Sequence, residues 1–144
     1  MAGVDTGTLA FIAFGPAMEE LMKVLFVMIL VETRPYLLRF GWSIWAATLS
    51  AALGFAAIEN VLYTQVYFPD MPPEVVAFRW TACTALHVSA TALATVGVAK
   101  MWRRTMRELR PAAMAVMLPW LAAAIVLHGA FNAFAIGAGL LMQG

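Results

Sequence analysis

Long apolar runs alternate with short polar interruptions along this chain. The first run extends from about Thr8 to Val31 and ends in the basic turn Glu32–Phe40. A second covers about Trp42 to Phe68 and stops at Pro69-Asp70-Met71-Pro72-Pro73. Prolines there cannot continue a helix, because each lacks a backbone donor and its ring crowds the preceding turn. A third run goes from near Glu74 to near Trp102, and a fourth from after Pro111 to near Leu141. Each exceeds the roughly 20 residues that carry an α-helix across a hydrocarbon core, so tilt or overhang is expected. The predicted fold is all-α: an integral membrane bundle of about four transmembrane helices, forming a single domain over residues 1–144. No internal repeat or low-complexity segment interrupts it.

Composition agrees with this pattern. Hydrophobic residues make up 63% of the chain, well above the roughly half of a soluble domain. The net charge of +1 gives no reason to expect a nucleic-acid partner. The single cysteine, Cys83, excludes an intramolecular disulfide and a cysteine-rich metal site. The first run is preceded by Asp5, lacks a basic lead and contains Glu19 and Glu20, so it does not read as a signal peptide.

Basic residues set the orientation. Arg34 and Arg39 follow the first helix, and Lys100, Arg103, Arg104, Arg107 and Arg110 follow the third. The opposite side carries Asp5, Asp70 and Glu74, with Arg79 its one basic residue. In a four-span arrangement both basic connections share a face. That face is expected to be cytoplasmic, with both termini extracytoplasmic. Trp42 and Trp102 on the inner side, with Tyr67, Phe68 and Trp80 on the outer, suit interfacial belts. Arg79 reads as an interfacial anchor, and the run Arg103–Arg110 as contact with anionic lipid. Small residues such as Ser50 with Gly54, and Gly129 with Ala133 and Gly137, allow close helix approach.

Against this background the buried ionisable groups stand out. Each costs about 2.5–3.5 kcal/mol in a membrane helix, so default to function. Glu19, Glu20 and Lys23 lie in the first helix, Glu59 in the second, His87 in the third and His128 in the fourth. Counted from the outer end of each helix, Glu19, Glu59, His87 and His128 lie about 9–12 residues in, or roughly 13–18 Å. Helices of alternating direction that place such groups at one depth predict one polar cavity. Glu19 and Glu20 differ by about 100° in helical phase, and Lys23 falls between them where it can pair with either. His128 and Asn132 share a face one turn apart. Pro16 removes a backbone hydrogen bond just before the glutamates and is expected to open the first helix toward the cavity.

The ordered set Pro16-Ala-Met-Glu19-Glu20-Leu-Met-Lys23, Gly54-Phe-Ala-Ala-Ile-Glu59-Asn60, lone His87 and His128-Gly-Ala-Phe-Asn132 resembles the PrsW family of intramembrane proteases. That family belongs to a wider group with the CAAX prenyl endopeptidases and bacteriocin-processing proteins. The resemblance spans the first helix to the fourth. It implies a protease-like domain that cleaves a membrane-anchored protein substrate, as in removal of an anti-sigma factor's extracytoplasmic part. It also implies catalytic motif positions for Glu19, Glu20, His87, His128 and Asn132, with Lys23, Glu59 and Asn60 supporting. PrsW-like proteins usually carry further membrane helices, often before the Glu-Glu motif, which here lies in the first run; the resemblance covers the catalytic core and leaves open a family-like substrate gate or regulatory region.

Peptide hydrolysis needs an activated water, a stabilised oxyanion and a proton for the departing amine. A carboxylate of Glu19 or Glu20 can take the water's proton and return it. His87 can orient the water, His128 and Asn132 can face the oxyanion, and Glu59 can fix a histidine tautomer. Zinc is the alternative, with His87, His128 and Glu59 as three ligands and an open position for water. No His-Glu-x-x-His stretch occurs and the histidines lie on different helices, so a metal-free glutamate mechanism is the preferred expectation. A proton- or cation-coupled transport subunit, or a non-catalytic scaffold for membrane partners, would use the same buried groups. Blander roles are also open to single residues. Asn132 alone is a common interhelical bridge, Asn60 points about 100° away from Glu59, and Thr84, Ser89 and Thr91 read as backbone-bonding hydroxyls.

Overall fold

The computed structural model describes residues 6–139, with side chains from Phe14 onward. The expected outer-side acid Asp5 and the expected helix end at Leu141 lie outside these residues. Four helices account for the architecture: α1 (Thr6–Thr33), α2 (Gly41–Tyr67), α3 (Pro73–Glu108) and α4 (Leu118–Gly137). No strand occurs among the described residues. The chain is a multi-pass membrane bundle, in which α2, α3 and α4 are each long and apolar enough to cross a bilayer. α1 is also long enough, but every 18-residue stretch of it contains Glu19, Glu20 and Lys23. Its charges are tolerated because the other helices enclose them.

α3 is the hub, packed against α1, α2 and α4. Its buried residues Ala90, Ala94 and Val98, with Thr91 and Thr95 beside them, recur at every fourth position. Such short side chains let neighbouring backbones come close. Gly97 marks the tightest approach: a Cβ there would stand 2.8 Å from Cβ of Trp120 and 3.0 Å from the Met117 carbonyl. The hydroxyls of Thr95 and Thr48 of α2 lie 2.7 Å apart, each also within reach of a carbonyl of its own helix, and their two protons are shared among these three contacts.

The apolar core occupies the end of the bundle nearer the basic connections. Val24, Val27, Met28 and Val31 of α1 meet Ala94, Val98 and Met101 of α3 and Met117, Leu121 and Ala124 of α4. The turn between α1 and α2 is pinned there by Trp102, whose indole donates to the Pro35 carbonyl at 3.1 Å. α3 runs on to Glu108, past the expected end near Trp102. α4 begins at Leu118, after a single turn at Met114–Val116, with Pro119 in its first turn. Proline suits that place because the first turn needs no intrahelical donor.

Two π-helical turns mark the other half of the bundle. One ends α2 at Tyr63–Tyr67, and the other lies early in α3 at Arg79–Cys83. Each inserts a residue into the helical repeat and rotates the side chains on either side of it.

Candidate active site

Next to the apolar core, on its side away from the basic connections, α1, α2, α3 and α4 contribute polar side chains to one cluster. Glu20 lies at its base, fully buried. Its Oε1 accepts from Lys23 Nζ at 2.7 Å and from His128 Nδ1 at 2.8 Å, and its Oε2 accepts from Thr91 at 2.9 Å. Lys23, also buried, donates a second time to His87 Nδ1 at 2.8 Å. It lies 3.9 Å from Glu19 Oε2 and 4.7 Å from the ring centre of Phe55. One ammonium thus ties α1 to α3.

These contacts fix both histidine tautomers. Lysine has no acceptor, so His87 Nδ1 receives its proton and Nε2–H faces Glu59, whose Oε2 is 2.7 Å away. His128 donates from Nδ1 to Glu20, which leaves its Nε2 lone pair toward Glu19 Oε2 at 3.6 Å. The two rings meet edge to face, centres 4.9 Å apart. A carboxylate behind each imidazole is how metal and catalytic histidines are commonly oriented.

Glu19 differs from its neighbour. Its side chain is 17% exposed, and its Oε2 has no hydrogen-bond partner among the described residues. That oxygen has three nitrogens around it at 3.6–3.9 Å, from His128, His87 and Lys23. The two glutamates, about 100° apart on the helix, still reach the same histidine through their flexible side chains. Glu20 is saturated and structural in its contacts, whereas Glu19 keeps an oxygen for something else.

Beside the cluster lies a cavity of about 20 Å³ lined by Glu59, Tyr63, Arg79, His87, His128 and Asn132. That volume holds one water molecule. Asn132 is half-buried at its edge, one turn along α4 from His128. Asn60 stands apart from the reactive groups. Its amide donates to the Arg79 carbonyl at 3.2 Å and to Thr84 at 3.1 Å.

Arg79 requires a correction. It is not an interfacial anchor but is 97% buried, with Nη2 3.3 Å from Glu59 Oε1 and Cζ 3.6 Å from the ring centre of Tyr63. Thr91 likewise departs from the expectation of a backbone-bonding hydroxyl: it donates to the Glu20 carboxylate. The sequence signal for Arg79 was its place inside a helical run after three prolines, where a charge needs a partner.

The formal charge of the cluster is −1 with neutral imidazoles: Glu19, Glu20 and Glu59 against Lys23 and Arg79. A proton or a further cation balances it. One ligand atom each from Glu19, His87 and His128 lie within 4.8 Å of one another, a donor set suited to a divalent ion. Glu59, engaged by Arg79 and His87, is outside that group. The unpaired Glu19 oxygen fits such an ion, and Lys23 occupies the His87 lone pair that the ion would use.

Comparison with known proteins agrees with this constellation. A family model described as PrsW family intramembrane metalloprotease matches residues 2–143. No curated protein and no solved structure matches the chain. With that match over nearly its whole length, the chain belongs to the PrsW family of intramembrane proteases.

Proposed function

We propose that the chain hydrolyses a peptide bond of a membrane-anchored protein, within or just outside the membrane on the extracytoplasmic side, with Glu19 as the reacting carboxylate. The observation that carries this is the unpaired Glu19 Oε2, ringed by nitrogens of His128, His87 and Lys23 at 3.6–3.9 Å and set against the saturated Glu20. Glu19 takes a proton as water adds to the scissile carbonyl, and His128 Nε2 shares that proton. The C–N bond then breaks and the proton passes to the departing amine. Asn132 donates to the oxyanion. In its present tautomer His128 has no Nε2 proton to offer, so it turns donor only after receiving one. His87, held by Lys23 and Glu59, lies 3.8 Å from the reacting Glu19 oxygen and flanks it. By the resemblance drawn from the motifs, an anti-sigma factor is the kind of substrate expected. The two basic connections at one end favour a cytoplasmic position for that end, with both termini outside.

A metal-assisted form of the same reaction is supported by the convergence of Glu19, His87 and His128. Those three residues would hold a divalent ion, with Lys23 moved off His87. Such an ion supplies Lewis-acid polarisation of the carbonyl and eases ionisation of water. Glu20 and Glu59 would keep orienting the two imidazoles, and Asn132 would keep its donor role.

The test is release of the outer domain of a single-span reporter produced together with the chain. Glu19→Gln should lower release by about a hundredfold or more, within the range of proton-transfer contributions. Full release by this variant would remove Glu19 from the chemistry.

A further inference from the structure

Arg79 is the charged group that the hydrolytic scheme leaves unused. Glu59 balances its charge and Tyr63 covers one face, yet its Nε has no hydrogen-bond partner among the described residues. A buried N–H without an acceptor is costly, and more so in lipid, where no bulk water replaces the missing partner. The fold also commits residues to keeping Arg79 in place. Its carbonyl opens the π-turn of α3 and accepts from the Asn60 amide at 3.2 Å, a role separate from Glu59 next door. Its side chain lines the cavity shared with His87, His128 and Asn132.

A membrane-spanning substrate arrives as a helix with its carbonyls already bonded internally. Cleavage requires a stretch to unwind, and each carbonyl thereby freed lacks a donor in lipid. The enzyme has to supply that donor. A carbonyl oxygen is close in size to the one water that the cavity holds. We infer that Arg79 contacts the substrate: its Nε–H donates to a main-chain carbonyl of the unwound segment. This makes Arg79 a specificity-determining residue that favours segments with weak helical bonding. The inference rests on the peptidase reading above.

Two fluorescent transmembrane peptides of about 24 residues separate the possibilities. One is leucine-rich throughout, and the other carries a central Gly-Pro pair, whose proline leaves an upstream carbonyl without its helical donor. Binding of each is titrated to the chain in lipid nanodiscs, with Arg79→Lys and Arg79→Gln compared to the unaltered protein. Arg79→Lys keeps a cation beside Glu59 and so protects the fold, but has no Nε–H. The expected result is about tenfold weaker binding of the Gly-Pro peptide by both variants, with the leucine peptide unaffected. Equal loss for both peptides, or no loss for either, overturns the inference. Cleavage is scored in the same discs. Peptide-selective loss without any cleavage by the unaltered chain would sink the peptidase reading and leave the carbonyl contact standing.

Discussion

Lys23 Nζ lies 2.8 Å from His87 Nδ1 while holding Glu20 at 2.7 Å, so a single buried ammonium serves both a carboxylate and an imidazole. It is the only ammonium or guanidinium on the Glu20 carboxylate among the described residues. Replacing it leaves a buried charge without its counterion. Lys23→Met should therefore destabilise the bundle by about 3–5 kcal/mol. Thermal unfolding in detergent measures this. An unchanged melting temperature would mean that His128 and Thr91 suffice for Glu20.

The same ammonium sits where a metal ion would take its lone pair from His87. Zinc should bind Lys23→Met at least about tenfold more tightly than the unaltered chain, because no cation has to be displaced first. Competition with a chromophoric chelator reads the two affinities. Binding should disappear in His87→Ala/His128→Ala. Equal affinities in Lys23→Met and the unaltered protein would place the ion elsewhere.

Asn132 contacts the cavity but makes no side-chain hydrogen bond within the described residues. Asn132→Ala should lower kcat by about 10²–10³, the usual cost of an oxyanion donor, with stability nearly unchanged. Reporter cleavage and a melting curve on one preparation check both halves. A fall in stability with kcat retained would make Asn132 an interhelical bridge.

Gly97 tests the packing independently of the chemistry. Its added Cβ would meet Cβ of Trp120 at 2.8 Å and backbone atoms of Met117 at 3.0 and 3.1 Å. None of these is the tip of a flexible side chain, so α3 and α4 must separate. Gly97→Ala should cost about 1–3 kcal/mol in unfolding, as overpacking does.

The bundle and the membership of the site were legible because they follow from regular features. Apolar run length reports the helices, and intramembrane charge reports function. Glu19, Glu20, Lys23, His87 and His128 come together as the shared depth implied, and Glu59 backs a histidine. The different fates of Glu19 and Glu20 were not legible. They depend on Thr91, which lies 71 residues from Glu20 in sequence and identifies itself only by contact. Arg79 was hidden for another reason. The π-turn at Arg79–Cys83 adds a residue to the repeat, so helical phase counted from His87 misplaces everything before Cys83. As the third ligand beside the two histidines the sequence suggested Glu59, whereas Glu19 is the carboxylate that groups with them, and nothing local showed that Arg79 would engage Glu59.

The charged stripe of α1 also bears on how the protein is made. Made before the helices that follow it, α1 carries Glu19, Glu20 and Lys23 into a bilayer that offers none of their partners on other helices. Thr91, His87 and His128 are supplied by helices synthesised later. Stable lodging of α1 must therefore wait for α3 and α4, although it is made before either. Maturation of the reactive centre and completion of the membrane topology are then one event, and a nascent chain halted before α4 holds no competent hydrolase.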